Sequence, residues 1–271
     1  MNGYIELLSL VQYSLVAAGV LGVVGGIVGV FVMQRDMAFA VHGVSELSFA
    51  GAAAALLLGI SAVLGSILGS LVAALAIGLL GARVRDRNSA IGVLMPFGLG
   101  LGILFLALYP GRSSSKFGLL TGQVIAVDGP QLGWLIATSL VALGILVVAW
   151  RPLMFDSLDP DVAAARGLPS GAVSVTFMLA VGLVVAVAVH IVGALLVLAL
   201  LVTPAASALR ISASPVTVPL LSATFGVTAA VGGILLALGG SLPISPFITS
   251  IAFGIYLACR VIGHGRARVQ L

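Results

Sequence analysis

Long apolar runs separated by short polar turns set the pattern of this chain. They extend from about Leu10 to Met33, Val44 to Leu80, Ile91 to Leu108 and Leu132 to Trp150, then from Gly171 to Leu209, Val216 to Leu238 and Phe247 to Cys259. An apolar stretch of roughly 20 residues crosses a ~30 Å hydrocarbon core as a helix. Two runs, Val44–Leu80 and Gly171–Leu209, exceed one crossing and are expected to fold back. Gly59, Gly65 and Gly69 offer flexible points in the first, and His190 with Gly193 marks the middle of the second. The pattern predicts an all-α, polytopic transmembrane helix bundle of about eight to nine segments, some re-entrant or broken. Thr203-Pro204 and Leu242–Pro246 are expected breaks, because irregular backbone at membrane depth survives where protein or a water-filled cavity satisfies it.

Composition sharpens this picture. Apolar residues make up 61% of the chain and charged ones 7%, against about 25% charged in soluble domains. The net charge of +4 points to neither nucleic acid nor an anionic partner, because the basic residues sit singly or in short groups between apolar runs. They sort instead by side. If both long runs fold back, Arg35, Arg83, Arg85, Arg87, Arg151, Arg166, Arg210, Arg260, Arg266 and Arg268 share one face, and only Arg112 and Lys116 reach the other. That bias makes the first face cytoplasmic, with an outside N-terminus and a cytoplasmic C-terminus in the plasma (inner) membrane. The first basic residue is Arg35, so the first run reads as a span and not as a cleavable leader. A single cysteine, Cys259, excludes a disulfide framework or a cysteine-based metal site within one chain.

Small residues spaced by four recur at Gly22/Gly26, Gly25/Gly29, Gly65/Gly69 and Gly98/Gly102. The expectation for them is tight helix packing inside one subunit, with a dimer seam as the alternative.

Few ionisable groups lie inside the apolar segments, and two of these are four residues apart. His42 and Glu46, in AFAVHGVSELSFAG, share one helical face a turn apart. Counted inward from Arg35 along a continuous helix, they lie about 10 and 16 Å deep, near the midplane. A charge there costs at least ~2.5–3.5 kcal/mol unless it meets water or a partner. One reading is a neutral Glu46 hydrogen-bonded to His42 or Ser45, tying helices together. The other is a transport site, since an imidazole and a carboxylate at this spacing can both bind one divalent ion of the zinc or manganese type. Two ligands hold an ion loosely, as a site that must release its cargo requires, and a second subunit can supply two more. His190, in AVAVHIVGALLV, is either a wet loop residue or part of a pathway entrance near the outer face. His264, beside Arg266 and Arg268, reads as a solvated tail residue.

No G-x-x-x-x-G-K-[ST] loop is present, so the chain lacks the usual cradle for ATP phosphates. H-E-x-x-H and G-x-S-x-G are absent too, which disfavours a protease or lipase. The chain is expected to be no enzyme and to bind no cofactor of its own.

Five colinear segments resemble the permease family of bacterial zinc/manganese ABC importers. QRDMAFAVHGVSELSFAG (Gln34–Gly51) is similar to the family's R-R-M-A-F-x-G-D-A-L-S-H-A-x-L-P-G. AIGVLMPFGLGLGILFLALYPG (Ala90–Gly111), TGQVIAV (Thr121–Val127), DPDVAAARGL (Asp159–Leu168) and VGALLVLALLVTPAASA (Val192–Ala208) follow in the family's order. His42 stands where the family has Asp, and Glu46 where it has His, so acid and imidazole have exchanged places at the same spacing. Phe49-Ala50 replaces Leu-Pro, and Pro96 interrupts the fourth segment's usual apolar run.

The resemblance implies one transmembrane permease domain over residues 1–271, with a cytoplasmic coupling segment at about 156–169 that grips an ATP-binding subunit. Asp159 can cap a short helix there, with Pro160 at its first position, Asp161 in its first turn and Gly167 at its end. It further implies a second permease subunit, identical or paralogous, an extracytoplasmic metal-binding protein that delivers the ion near His190 and the Gly111–Gly129 loop, and zinc or manganese as cargo. The alternatives are a proton-coupled secondary transporter using His42 and Glu46, and a membrane scaffold whose buried polar groups serve helix adhesion.

Overall fold

The computed structural model describes residues 8, 10–80, 84–110, 127–238 and 243–269. Ten helices follow in order: α1 (Gln12–Gln34), α2 (Ala38–Leu57), α3 (Ala62–Leu80), α4 (Val84–Leu108), α5 (Gly129–Leu158), α6 (Pro160–Ala165), α7 (Ser170–Val192), α8 (Ala194–Ile211), α9 (Thr217–Ala237) and α10 (Ile244–Val269). No strand occurs among the described residues. Eight helices are long and apolar enough to cross a bilayer, and the apolar part of α8, Leu196–Ile211, is shorter.

Both long runs divide as their glycines predict. Gly59 takes a φ of +72° between α2 and α3, and Gly193 a φ of +84° between α7 and α8. These are left-handed conformations that a residue without Cβ adopts at little cost. Gly65 and Gly69, expected as flexible points, lie inside α3 and serve packing. The expected break at Pro204 is not one. Pro204 lies within α8, which continues through it. Helix α4 likewise continues through Pro96. An interior proline removes its own N–H from the ladder and crowds the carbonyl four residues back, and a helix supported by its neighbours can carry that cost. Pro246 falls in the first turn of α10, where the ladder needs no N–H.

The chain forms two compact units. One comprises residues 34–123 and 133–197, the other 1–33, 124–132 and 198–271. In the first, α2 is packed at backbone distance on two sides. A Cβ placed on Gly69 would lie 3.1 Å from Gly51 Cα and 3.2 Å from the Leu47 carbonyl carbon, and Gly65 meets the backbone of Gly51 as closely. On the α4 side, a Cβ on Gly98 would lie 3.1 Å from both the Glu46 carbonyl carbon and the Leu47 nitrogen, while Gly102 receives the ring of Phe49. Ser48 Oγ and Ser66 Oγ are 2.7 Å apart, and Ser66 Oγ donates to the Ala186 carbonyl at 2.7 Å. That chain of hydroxyls joins α2, α3 and α7.

In the second unit, Gly22 and Gly26 of α1 meet the backbone of α9 near Gly226 and Ser222, and Gly25 and Gly29 meet α8 at Leu201. Ser222 Oγ donates to the Gly26 carbonyl at 2.7 Å. Val30, Ala205, Ala208 and Val218 form a buried cluster beside them. All four glycine pairs flagged by spacing are thus used inside one chain. Lipid tails are as apolar as leucine, so close packing and interhelical hydrogen bonds carry association.

A branched side chain at Gly65 has no room, and overpacking of this kind costs about 1–3 kcal/mol. Gly65→Val is expected to lower the melting temperature of the detergent-purified protein clearly. Gly144→Val, at a position with nothing within 4 Å of a new Cβ, serves as the control; equal melting of the two variants would contradict the packing described.

Candidate metal site on helix α2

Helix α2 begins at Ala38, after a turn in which Asp36 has a φ of +52°. The path inward from Arg35 is therefore not helical throughout, as the count from Arg35 took it to be. Measured from Ala38, His42 lies about 6 Å and Glu46 about 12 Å along the axis. Glu46 stands close to the midpoint of the helix, with His42 one turn nearer its start. Their side chains share a face, with His42 Nε2 3.6 Å from Glu46 Oε1.

The two differ in exposure. The His42 side chain is 24% accessible and that of Glu46 6%. Ser45 Oγ donates to the His42 carbonyl at 2.8 Å, so its hydroxyl is spent on the backbone. His42 Nδ1 and Glu46 Oε2 are buried without a hydrogen-bond partner among the described residues. A buried carboxylate oxygen left unbonded carries its full desolvation cost. A polar cargo or a partner chain would relieve that cost, and Ser45 is not placed to do so. No group of three or more His, Cys, Asp or Glu assembles among the described residues, so His190 does not join the pair.

His190 lies in the last turn of α7, partly buried. The wet-loop expectation is corrected, since the helix continues to Val192 before Gly193 ends it. Counted from Ser170, His190 is about 30 Å along α7, at the end opposite α6. Residues 111–126, and with them Arg112, Lys116 and most of the proposed delivery loop, lie outside the described residues, as does Arg83. So do the side chains of Arg85, Arg87, His264, Arg266 and Arg268.

Helix α6 has the local chemistry read from DPDVAAARGL. Asp159 Oδ1 accepts from the Val162 N–H at 3.0 Å, Pro160 opens the helix and Asp161 sits in its first turn. Gly167 closes it with a φ of +80°. Ala163 is fully buried, whereas Leu158 (73%) and Val162 (42%) are exposed. One feature escaped the sequence pattern. Arg35, read as an interfacial charge, pairs at 2.7 Å with the buried Asp156, its own side chain only 9% exposed. Arg35 follows the end of one apolar run and Asp156 lies six residues past the end of another, and nothing in the sequence pairs residues across that distance.

A model of the ABC 3 transport family matches residues 8–263. The chain belongs to this family. It is a membrane-spanning permease subunit of an ABC transporter, which sets aside the secondary-transporter and scaffold alternatives. Within the family it is 33% identical over 227 residues to the manganese transport system membrane protein MntC of Halalkalibacterium halodurans, covering 83% of this chain and 78% of the relative. It is 31% identical over 226 residues to the manganese import system permease protein ScaB of Streptococcus gordonii, covering 83% and 81%. Among solved structures, PsaBC from Streptococcus pneumoniae in complex with Fab superposes with a TM-score of 0.84 at 28% identity, over 95% of this chain and 94% of that one. An inward-facing metal-chelate type ABC transporter shares the fold at a TM-score of 0.71 and 19% identity.

If His42 and Glu46 hold a divalent ion, the ion stabilises the folded chain by mass action, by about 2.7 kcal/mol at 100 times its Kd. Manganese or zinc is expected to raise the melting temperature of the purified permease, and Glu46→Gln to remove most of that rise. A shift unchanged in Glu46→Gln would place the ion elsewhere.

Proposed function

We propose that this ABC 3 permease imports a divalent metal, manganese in the first place and zinc in the second, past His42 and Glu46. The observation that carries the reading is the half-buried imidazole beside a buried carboxylate with an unbonded oxygen, midway along a membrane helix. Such groups cost free energy inside a membrane unless they serve a pathway. Nitrogen and oxygen donors together suit both metals, and the relatives named for manganese transport or import weigh toward manganese and toward inward movement. The exchange of acid and imidazole relative to the family pattern keeps the donor set and reverses its order along the helix.

Two ligands from one chain leave an ion undercoordinated, which calls for a second permease subunit, identical or paralogous, to complete the shell. Without a phosphate-binding loop in its sequence, the permease relies on a separate ATP-binding subunit. Helix α6 is its docking element, with Asp159, Pro160, Asp161 and Gly167 shaping it and Leu158 and Val162 as its apolar contacts. This side is the cytoplasmic one, and the C-terminus lies there too. An extracytoplasmic metal-binding protein delivers the ion at the other face, where His190 stands near the pathway entrance.

Two measurements test this reading. Glu46→Ala, in a complex that still assembles, is expected to lower manganese uptake by about tenfold or more, as loss of an essential binding group does; normal uptake would remove the site from the mechanism. Val162→Asp places a charge on the exposed docking face and is expected to reduce the copurified ATP-binding subunit by about tenfold, a scale reached when an interface anchor is lost. Undiminished copurification would move docking away from α6.

A further inference from the structure

Arg35 stands at a convergence of three helices in the first unit. Its guanidinium pairs with Asp156 Oδ2 at 2.7 Å, lies 3.4 Å from Ser157 Oγ, and sits over the Phe177 ring at 5.6 Å. Asp156 and Ser157 end α5, Phe177 belongs to α7, and Arg35 itself lies three residues ahead of α2, the helix that carries His42 and Glu46. Asp156 is 5% exposed and its other oxygen, Oδ1, has no hydrogen-bond partner among the described residues.

The end of α5 is in turn fixed to α6. The Asp159 N–H donates to the Phe155 carbonyl at 3.2 Å, and the Arg166 guanidinium lies 5.9 Å from the Phe155 ring. Helix α6 is therefore held at both ends by one residue, Phe155, whose neighbour Asp156 holds Arg35. A displacement of α6 cannot leave the end of α5 behind, and a displacement of that end meets Arg35 next.

We infer that the buried Arg35–Asp156 pair is the positioning link that makes the site helix α2 follow the docking helix α6. A pair kept only for stability is a poor use of two buried charges, since an apolar pair of similar volume often does as well. An Asp that leaves one oxygen unbonded is poorer still. A bidentate-capable, stacked guanidinium is instead suited to holding a fixed orientation between moving elements. The inference rests on the proposed docking of the ATP-binding subunit at α6.

The test uses the whole transporter, permease with its ATP-binding subunit in lipid vesicles, and reads manganese uptake and ATP hydrolysis on the same preparation. Asp156→Asn, which keeps the shape and removes the charge, is expected to lower uptake per ATP hydrolysed by about tenfold, with hydrolysis and bound ATP-binding subunit within about twofold of wild type, because a broken buried pair loses its hold. Arg35→Lys keeps the charge but not the fork, and is expected to lower the same ratio by about threefold. An unchanged ratio in either assembled variant, or a parallel fall of uptake and hydrolysis, overturns the inference and leaves the pair a structural contact. Where Asp156→Asn does not assemble, Arg35→Lys decides alone. Failure of the docking reading shows differently, as full retention of the ATP-binding subunit by Val162→Asp.

Discussion

Backbone contact through glycine is the interaction on which the site depends. Between membrane helices the hydrophobic effect offers no preference, so the helices settle where their surfaces fit. Helix α2 fits because Gly51, Gly65 and Gly69 bring it against α3 while Gly98 admits the backbone of Glu46 and Leu47 against α4. The second contact fixes the register of the acid itself. Sliding α2 by one residue would turn Glu46 by about 100° and bring a side chain against Gly98 where there is space only for backbone. The packing therefore sets which way the site faces, and the Ser48–Ser66–Ala186 hydroxyl chain fixes its height against α7.

Against this rigid background, the two acid–base pairs of the unit differ in a way that suits different work. His42 and Glu46 stand 3.6 Å apart with His42 still 24% accessible, too far for a good hydrogen bond. Both can turn toward a third body. Arg35 and Asp156 are at 2.7 Å and buried together, with an aromatic face beneath the guanidinium. The loose pair is not committed to one geometry, and the tight pair is held between neighbouring helices. A site that captures and releases an ion needs the first kind. A joint that holds two helix ends together needs the second.

Much of this was legible in the sequence because it depends on local pattern. The apolar runs gave the helices, Gly59 and Gly193 gave the turns, and Asp159, Pro160 and Gly167 gave α6 down to its cap, since capping chemistry is decided within a few residues. The pairing of His42 with Glu46 followed from helical spacing alone. What failed were readings that needed a neighbour from elsewhere in the chain. Pro204 read as a break because its lost hydrogen bond is local, whereas its support is tertiary. Arg35 read as an interfacial marker because hydropathy records where a run ends and not what waits there. Its partner is more than a hundred residues away. The turn at Asp36 went unread for a related reason: it interrupts the helix ahead of α2, and nothing in QRDMAF requires it.

The contacts also limit how Glu46 can change its access. A helix held by soft side chains can slide past its neighbours, but one seated backbone to backbone has little room to do so, since interiors deform in discrete steps and not continuously. Moving α2 alone would break its seats on α3 and α4 and the hydroxyl chain to α7 together. The less costly movement carries these helices as one body and bends the chain at the edge of that body where its backbone already departs from helix, at Gly193. At the other edge, only the short turn at Asp36 separates Arg35 from α2. A force arriving through the end of α5 would therefore meet α2 at its first turn, and the rigid seating of α2 would carry the motion on to Glu46.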